Sequence, residues 1–274
     1  MSLFIASLNS GSNGNCYYVG NNNEAILVDV GISCKEVEKR MGRLNLSLLK
    51  VKAIFISHEH SDHIKGVQTL SKKYSIPVYI TQATLNNSHL VLEDLLVKSF
   101  RAYQKIIIGN LIINPFPKRH DASDPYSFVV EGNDIKIGVL TDIGSACEHV
   151  IDNFKQCHAV FLEANYDELL LQKGHYPYYL KERIRSGKGH LSNRQALDLF
   201  VNHKHEAMSH LILSHLSKDN NCPMLVKELF TQHAQSTEVI IASRLHETEV
   251  FHVTQDGVNE ERKVETQIVQ TALF

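Results

Sequence analysis

Ile54-Phe55-Ile56-Ser57-His58-Glu59-His60-Ser61-Asp62-His63 is the stretch on which the reading of this chain turns. Its apolar start, Ala53 to Ile56, has the length and composition of a buried strand. That strand runs directly into a polar loop that spells H-x-H-x-D-H with His58, His60, Asp62 and His63. In an extended loop, His58, His60 and Asp62 lie at spacing two and face one side. His63 follows Asp62 directly and can turn to a neighbouring position. Imidazole and carboxylate donors together suit Zn, Mn or Fe, and two diverging pairs indicate two divalent ions rather than one. The bland alternative is a solvated, His-rich loop. With 16 histidines in the chain, a lone H-x-H pair would carry little weight. The full hexapeptide behind a buried strand is far more specific.

The chain has 274 residues, is 43% hydrophobic and has a formal net charge of -2. That fits a single domain over 1-274 with a substantial core, so metals need not be what holds it together. No global basic field advertises a nucleic-acid partner, and any such contact must use a local patch. The five cysteines are widely spaced, odd in number and form no C-x-x-C pair, as expected of reduced thiols in a cytoplasmic protein. The run Leu3 to Leu8 is too short for a signal sequence, and no stretch approaches the roughly 20 apolar residues of a membrane span. The oligomeric state is not legible in the sequence.

Leu3–Leu8, Cys16–Val19 and Ala25–Asp29 read as strands joined by tight turns. The first turn, Asn9-Ser10-Gly11-Ser12-Asn13-Gly14-Asn15, is either an anion cradle of backbone N–H groups or, as local chemistry favours, a plain connection. Ser33, with Glu36 three residues on, predicts the start of a helix running to about Leu44. Ile64–Tyr74, Gln82–Asn87 and Leu90–Leu96 have helical patterns, and Pro77–Ile80 reads as a strand. Lys105–Ile108 and Leu111–Asn114 read as strands, after which Pro115 and Pro117 are expected to break regularity. Ser127–Glu131 and Ile135–Leu140 form a hairpin around Gly132-Asn133-Asp134.

One pattern recurs. Apolar strands finish on potential ligands at Asp29, His58, Asp142, Glu163 and His215. Sheets that gather polar residues at one edge tend to house a site there. Asp29 could hold ligand geometry by hydrogen bonds or simply form a turn. Strands followed by helices in both halves suggest two sheets packed together with helices outside.

H-x-H-x-D-H at a strand end resembles the signature of the metallo-β-lactamase-fold hydrolases. The resemblance spans Asp29 to His215 and implies an α/β, four-layer αββα fold, two mainly antiparallel sheets sandwiched between helices. It implies one metal on His58, His60 and His120, a second on Asp62, His63 and His215, Asp142 bridging, and Asp29 supporting the ligands. The β-lactamases carry a cysteine where Asp142 stands, so antibiotic hydrolysis is not expected. Two divalent ions would acidify a shared water and neutralise charge on a phosphoryl oxygen.

Glu163-Ala164-Asn165-Tyr166 and Gly189-His190-Leu191-Ser192 resemble motifs of the tRNA 3′-processing endonucleases, in which a Glu orients a His acting at the scissile phosphate. Turnover is thus expected to depend on Asp62, Glu163 and His190. Between them, at about 166-190, lies a basic segment with Lys181, Arg183, Arg185 and Lys188 among Tyr176, Tyr178 and Tyr179. It reads as a substrate-binding cap for a nucleic-acid backbone or, equally, as a solvated helix with tyrosines packed inward. The opening Ser-Gly-Ser-Asn-Gly-Asn-Cys and the string Gly187-Lys188-Gly189-His190-Leu191-Ser192-Asn193 also look like the bacterial YycJ/WalJ group. That likeness implies a metal-dependent 5′-to-3′ exonuclease on DNA. The alternatives are a hydrolase of a small phosphodiester or thioester, and a metal-binding protein without turnover.

Overall fold

The computed structural model describes residues 2–255, so the expectation of one domain over 1-274 lies outside the described residues at both ends. Strands β1 (Leu3–Asn9), β2 (Cys16–Gly20), β3 (Ala25–Val28), β4 (Val51–Phe55), β5 (Val78–Tyr79) and β6 (Val97–Lys98) come first. They are followed by β7 (Ile106–Ile108), β8 (Leu111–Pro117), β9 (Tyr126–Gly132) and β10 (Ile135–Leu140). The last are β11 (Ala159–Glu163), β12 (His210–Ser214), β13 (Glu238–Ile241) and β14 (Phe251–Val253). Helices α1 (Cys34–Arg43), α2 (Ser61–Ile64), α3 (Val67–Tyr74) and α4 (Gln82–Asn87) lie in the first half. The second half holds α5 (Glu148–Phe154), α6 (Glu168–Lys173), α7 (Tyr178–Arg185), α8 (Asn193–His203) and α9 (Pro223–Thr231). None of these helices is long and apolar enough to cross a membrane.

The strands form two seven-stranded sheets, ordered β14-β1-β2-β3-β4-β5-β6 and β13-β12-β11-β10-β9-β8-β7. The strands β1, β2, β3, β11 and β12 bury both faces, so their sequences read as apolar runs rather than clean alternation. Ile5, Tyr17, Val28 and Phe55 of the first sheet meet Phe128, Val139, Phe161 and Ile212 of the second in a shared central layer. The residues between them, such as Ala6, Tyr18, Leu27 and Ile54, point outward onto Val37 and Met41 of α1 and Val67 and Leu70 of α3. Val160, Leu162, Leu211 and Leu213 likewise face Val150 and Phe154 of α5, Leu199 and Phe200 of α8 and Phe230 of α9. The result is helix, sheet, sheet, helix.

The sheets are evenly mixed rather than mainly antiparallel. Each has three antiparallel pairings and three parallel ones. The parallel halves decide where chemistry can sit. β3 and β4 run parallel, as do β10, β11 and β12, so their C-terminal ends share an edge in each sheet. Asp29, Asp142 and His215 all leave their strands at positive φ (59, 54 and 55°). This left-handed step is costly for non-glycine residues and turns each side chain across the sheet edge.

Several local expectations meet the structure differently. Leu90–Leu96 is not a helix: Leu90 and Leu92 are half-buried against the outer layer while Val91 and Glu93 face solvent, and only Asp94–Leu96 makes a helical turn. In-out alternation over so short a run is an extended pattern, not a helical one. β8 continues through Pro115 to Pro117, because β7 covers it only along Leu111–Ile113. Beyond that no strand covers this edge, only the Tyr103 N–H donating to the Pro115 carbonyl at 2.7 Å, so the missing proline N–H costs no ladder bond. The predicted helix Ile64–Tyr74 is interrupted at Gly66, whose added Cβ would stand 2.0 Å from the Ile32 carbonyl oxygen. Ser33 caps α1 by accepting from the Glu36 N–H. The hairpin turn at Asn133-Asp134 has positive φ at both residues (52 and 61°), the geometry that matches strand twist.

The loop after β3 packs directly under the histidine-rich loop, with Val30 N–H donating to the His63 carbonyl at 2.8 Å. Gly31 makes this approach possible. An added Cβ there would lie 1.7 Å from the Asp62 carbonyl oxygen, a backbone atom that cannot swing aside. Gly31→Ala should therefore destabilise the fold by at least the ~1–3 kcal/mol typical of overpacking. Denaturant unfolding measures this, and a midpoint equal to that of the unaltered protein would contradict the packing described.

Candidate metal centre

The histidine-rich loop follows β4, and α2 begins within it. His60 precedes the helix, Asp62 lies in its only turn, and His63 faces inward, fully buried. His58 Nε2 lies 3.0 Å from His60 Nδ1, and the His120 ring stands 4.8 Å and 5.2 Å from those of His58 and His60. These three form one group whose donor atoms lie within 4.8 Å of one another. Asp62, His63 and His215 form a second such group. Asp62 Oδ2 lies 3.6 Å from His63 Nε2 and 3.5 Å from His215 Nε2. Asp142 lies between them: its Oδ2 is 3.2 Å from His63 Nε2 and its Oδ1 is 3.8 Å from His120 Nε2. The structure therefore brings together all seven residues singled out from the sequence.

Each buried imidazole is aimed by a bond on its far side. Asp29 Oδ2 accepts from His63 Nδ1 at 2.7 Å and from the Ser57 hydroxyl at 2.7 Å. Because that hydroxyl spends its one proton on Asp29, His58 Nδ1, 2.8 Å away, must donate to it. His120 Nδ1 donates to the Gly189 carbonyl at 3.0 Å, and His215 Nδ1 to Glu163 Oε1 at 3.0 Å. In all four rings Nε2 is left facing the centre, which is how protein environments prepare metal-binding histidines. Asp29 thus orients the His63 ring and is no mere turn residue.

The charges around these rings are strongly perturbed. Burial alone would raise the Asp142 carboxyl, but His215 and His63 outweigh it and hold it well below the usual carboxylate range. Burial likewise works to lower His63, yet the carboxylates of Asp142, Asp29 and Asp62 lift it to about 10. His120 has no comparable excess of carboxylates, and burial takes it down to about 4. Glu163, opposed by burial but paired with His190 and His215, is held at about 2. His120 Nε2, His215 Nε2 and Asp142 Oδ2 are buried with no hydrogen-bond partner among the described residues. Buried polar atoms left so cost roughly 1–3 kcal/mol each. A cluster of imidazole nitrogens and carboxylate oxygens carrying that need fits divalent metal ions.

Glu163 ends β11 fully buried, and its Oε2 accepts from the Ile143 and Leu191 N–H groups at 2.7 and 3.2 Å. Its Oε1 accepts from His190 Nδ1 at 2.7 Å as well as from His215. His190 is partly exposed beside a cavity of about 200 Å³ that is also lined by Asp121, Arg183, His215 and Ser217. Of the four basic residues Lys181, Arg183, Arg185 and Lys188, Arg183 alone lines this cavity, paired with Asp121 at 2.5 Å. Lys181 donates to the Gln172 carbonyl, Arg185 pairs with Glu182, and the Lys188 backbone packs against Gly144. Tyr178 and Tyr179 are exposed, whereas Tyr176 donates to Asp219 at 2.9 Å, so neither tyrosine expectation holds throughout.

Sequence reasoning missed several supports. Asn15 donates to Asp62 Oδ2 at 3.2 Å, and Asn165 to the His215 carbonyl at 2.8 Å. The opening Gly/Ser/Asn turn is therefore a brace for the ligand loop, with Ser10 Oγ also accepting from His215 N–H at 2.7 Å. Lys118, buried by the same strand ends, donates to the Thr141 carbonyl at 2.7 Å. None of these bonds had a signal of its own in the sequence; Ser10 and Asn15 merely lay in that turn.

Adding Zn or Mn to metal-free protein should raise its melting temperature. At a hundredfold excess over Kd the gain is about 2.7 kcal/mol, or roughly 5–10 °C for a chain of this size. Calorimetry measures it, and the rise should shrink in Asp142→Asn. An unchanged melting curve under both metals would refute the donor set.

Comparison with known proteins agrees with this geometry. Residues 10–148 match the metallo-beta-lactamase superfamily. The chain is 33% identical over 240 residues to exodeoxyribonuclease YycJ of Bacillus anthracis, covering 85% of this chain and 89% of that one. It is 34% identical over 227 residues to exodeoxyribonuclease WalJ of Streptococcus pneumoniae, covering 81% and 83%. Its fold matches that of the metallo-beta-lactamase fold protein YhfI of Bacillus subtilis with a TM-score of 0.70 at 17% identity, over 92% of this chain and 100% of the other. For the short form of human tRNase Z the TM-score is 0.62 at 16% identity, over 90% and 98%. The chain belongs to the metallo-beta-lactamase superfamily of metal-dependent hydrolases.

Proposed function

We propose that this chain is a dinuclear metal-dependent phosphodiesterase that degrades DNA from the 5′ end. One observation carries the reading beyond the family: a single carboxylate oxygen, Glu163 Oε1, accepts from His215 in the donor cluster and from His190 beside it. The two relatives named exodeoxyribonucleases, aligned over more than four-fifths of this chain, support DNA as the substrate.

His58 Nε2, His60 Nδ1 and His120 Nε2 would hold one ion, and Asp62, His63 and His215 the second, with Asp142 between them. Zn and Mn suit these donors, and Fe is compatible. Bound there, the ions would neutralise charge gathering on phosphoryl oxygens and acidify the attacking water. His190 acts as its geometry prepares it to: as the imidazolium, with Nδ1–H donating to Glu163, it passes the Nε2 proton to the leaving oxygen and is left neutral. Glu163 fixes the orientation of that ring by holding Nδ1–H. Arg183, on the cavity wall, contacts a substrate phosphate, and the exposed rings of Tyr178 and Tyr179 offer faces on which bases stack. We read the cap at about 166-190, whose Tyr166, Leu171 and Ile184 form a small core of their own, as part of the same single domain, a reading supported by the Asp167 N–H donating to the Asn220 carbonyl at 2.8 Å. Five free cysteines suit a cytoplasmic setting.

A small phosphodiester or a thioester is the second reading. It is favoured by the modest cavity and by the carboxylate partners already held by Arg183 and Arg185.

Digestion of 5′- and 3′-labelled DNA by Mn- or Zn-loaded protein tests the proposal. Stepwise release of nucleotides from the 5′ end is expected, lost on chelation and in Asp62→Ala. His190→Ala should slow turnover by about 10²–10⁴, the usual worth of a general acid. Glu163→Gln should slow turnover by loosening the His190 ring, with metal content unchanged. Cleavage of only small diesters, with DNA untouched, would select the second reading.

A further inference from the structure

A second cavity adjoins the one over the metal centre. It holds about 380 Å³ between residues 216–223 and the segment 241–246 that follows β13, and Ser217 lines both cavities. Its apolar lining comes from Leu216, Pro223, Ile241 and Leu245, and Lys218 and Arg244 line it as well. No carboxylate lines it, although the chain carries 30 acidic residues. Ser10, whose hydroxyl accepts from the His215 N–H, forms part of its wall, so the cavity begins one hydrogen bond from a proposed metal ligand.

Arg244 is held where the two cavities meet. The Asn13 side chain donates to its carbonyl at 2.8 Å, and its Nη2 lies 3.5 Å from Ser12 Oγ, a residue of the first cavity. Its Nη1 is buried and has no hydrogen-bond partner among the described residues. A guanidinium donor left unpaired beside an apolar slot is prepared for an anion whose attached group fills the slot. A nucleotide has that shape: a flat base of low charge on one side and a phosphate on the other.

We propose that this cavity is the subsite for the nucleoside next to the scissile phosphate. Its base lies against Leu216, Pro223 and Leu245, and its outer phosphate is bound by Arg244 and Lys218. The inference rests on the phosphodiesterase reading above and adds to it the path of the strand, from the metal centre across Ser217 into the cleft. Binding of the adjoining nucleoside there fixes how far the chain end advances between cuts.

Arg244→Ala is the test, with Arg244→Lys beside it and Lys50→Ala, at the opposite end of β4, as a control for net charge. On single-stranded DNA with Mn-loaded protein, Arg244→Ala should raise KM about tenfold, the usual scale of a lost charge-assisted contact, with a much smaller change in kcat. The dependence of log KM on log salt should flatten by about 0.7, one phosphate contact fewer, and Arg244→Lys should restore most of that slope. A free deoxynucleoside monophosphate should compete with DNA in the unaltered protein and far less well in Arg244→Ala. An equal fall in kcat on DNA and on bis(p-nitrophenyl) phosphate would mark Arg244 as a structural prop and overturn the subsite. An unaltered salt slope would overturn it too, while leaving the nuclease reading intact. Absence of DNA cleavage by the unaltered protein, with the small diester still cut, would remove both together.

Discussion

Three carboxylates without solvent exposure to speak of, those of Asp29, Asp142 and Glu163, sit at strand ends in the middle of the molecule. Everything about the site follows from having to compensate them. An uncompensated carboxylate in a protein interior is costly enough that it must be paired, protonated or bound to a cation. Here the compensation is arranged in rings of donors: His63 and Ser57 on Asp29, His63 and His215 about Asp142, His190 and His215 on Glu163. Lys118, whose ammonium burial pushes down against the pull of Asp142 and Asp29, lies underneath, tied to the Thr141 carbonyl next to Asp142. The same imidazoles that satisfy the carboxylates turn their remaining nitrogens to a common centre. The cost of burying the carboxylates and the preparation for metal are one arrangement seen from two sides.

The fold makes that arrangement possible through its parallel halves. Antiparallel strands would alternate their C-terminal ends between the two edges of a sheet. Because β3 and β4 in one sheet and β10, β11 and β12 in the other run parallel, the five ends that lead to Asp29, His58, Asp142, Glu163 and His215 converge. The central apolar layer then fixes how close the two converging edges come. Phe55 meets Phe128 at 5.6 Å and Tyr17 meets Phe161 at 5.0 Å, just below the loops that carry His58 and the residues after β11. Side-chain volume in this layer thereby sets the distances between donors from different sheets.

This division explains what was legible in the sequence. His58, His60, Asp62 and His63 are neighbours along the chain, so their chemistry is written in one hexapeptide. Asp142 and Glu163 could be suspected from the rule that apolar strands end on a ligand, but a rule of position says nothing about which ends meet. His215 obeys the same rule, His120 gave no local signal, and only the family resemblance tied the two to one site. Their approach is set by strand register across two sheets, which no spacing along the chain encodes. Asn15, Ser57 and Asn165 were invisible for a different reason. Asparagine and serine are ordinary turn residues, and their bonds to Asp62, Asp29 and the His215 carbonyl exist only after the loops have packed. Leu90–Leu96 failed because four or five apolar residues do not distinguish a helix from an extended segment that tucks alternate leucines under a sheet edge.

The basic cap shows how far charge along a sequence is from charge in a site. Lys181, Arg183, Arg185 and Lys188 read as one patch, yet two of them are spoken for by Asp121 and Glu182, and a third by a backbone carbonyl. Such exposed pairs hold little energy, about 0–1 kcal/mol, so a phosphate can replace the carboxylate partner. The Arg183–Asp121 pair has a particular consequence because Asp121 follows His120 directly. A phosphate that took Arg183 from Asp121 would leave that carboxylate, 3.4 Å from His120 Nε2, free to turn toward the metal centre. Arg244, by contrast, has a donor that nothing in the chain's described part satisfies, although nothing in the sequence around it looks basic. Local charge density picked out the cap, and unsatisfied geometry picks out the cleft. For binding a strand of phosphates, the second is the stronger sign, because affinity comes from donors that gain a partner, not from those that exchange one.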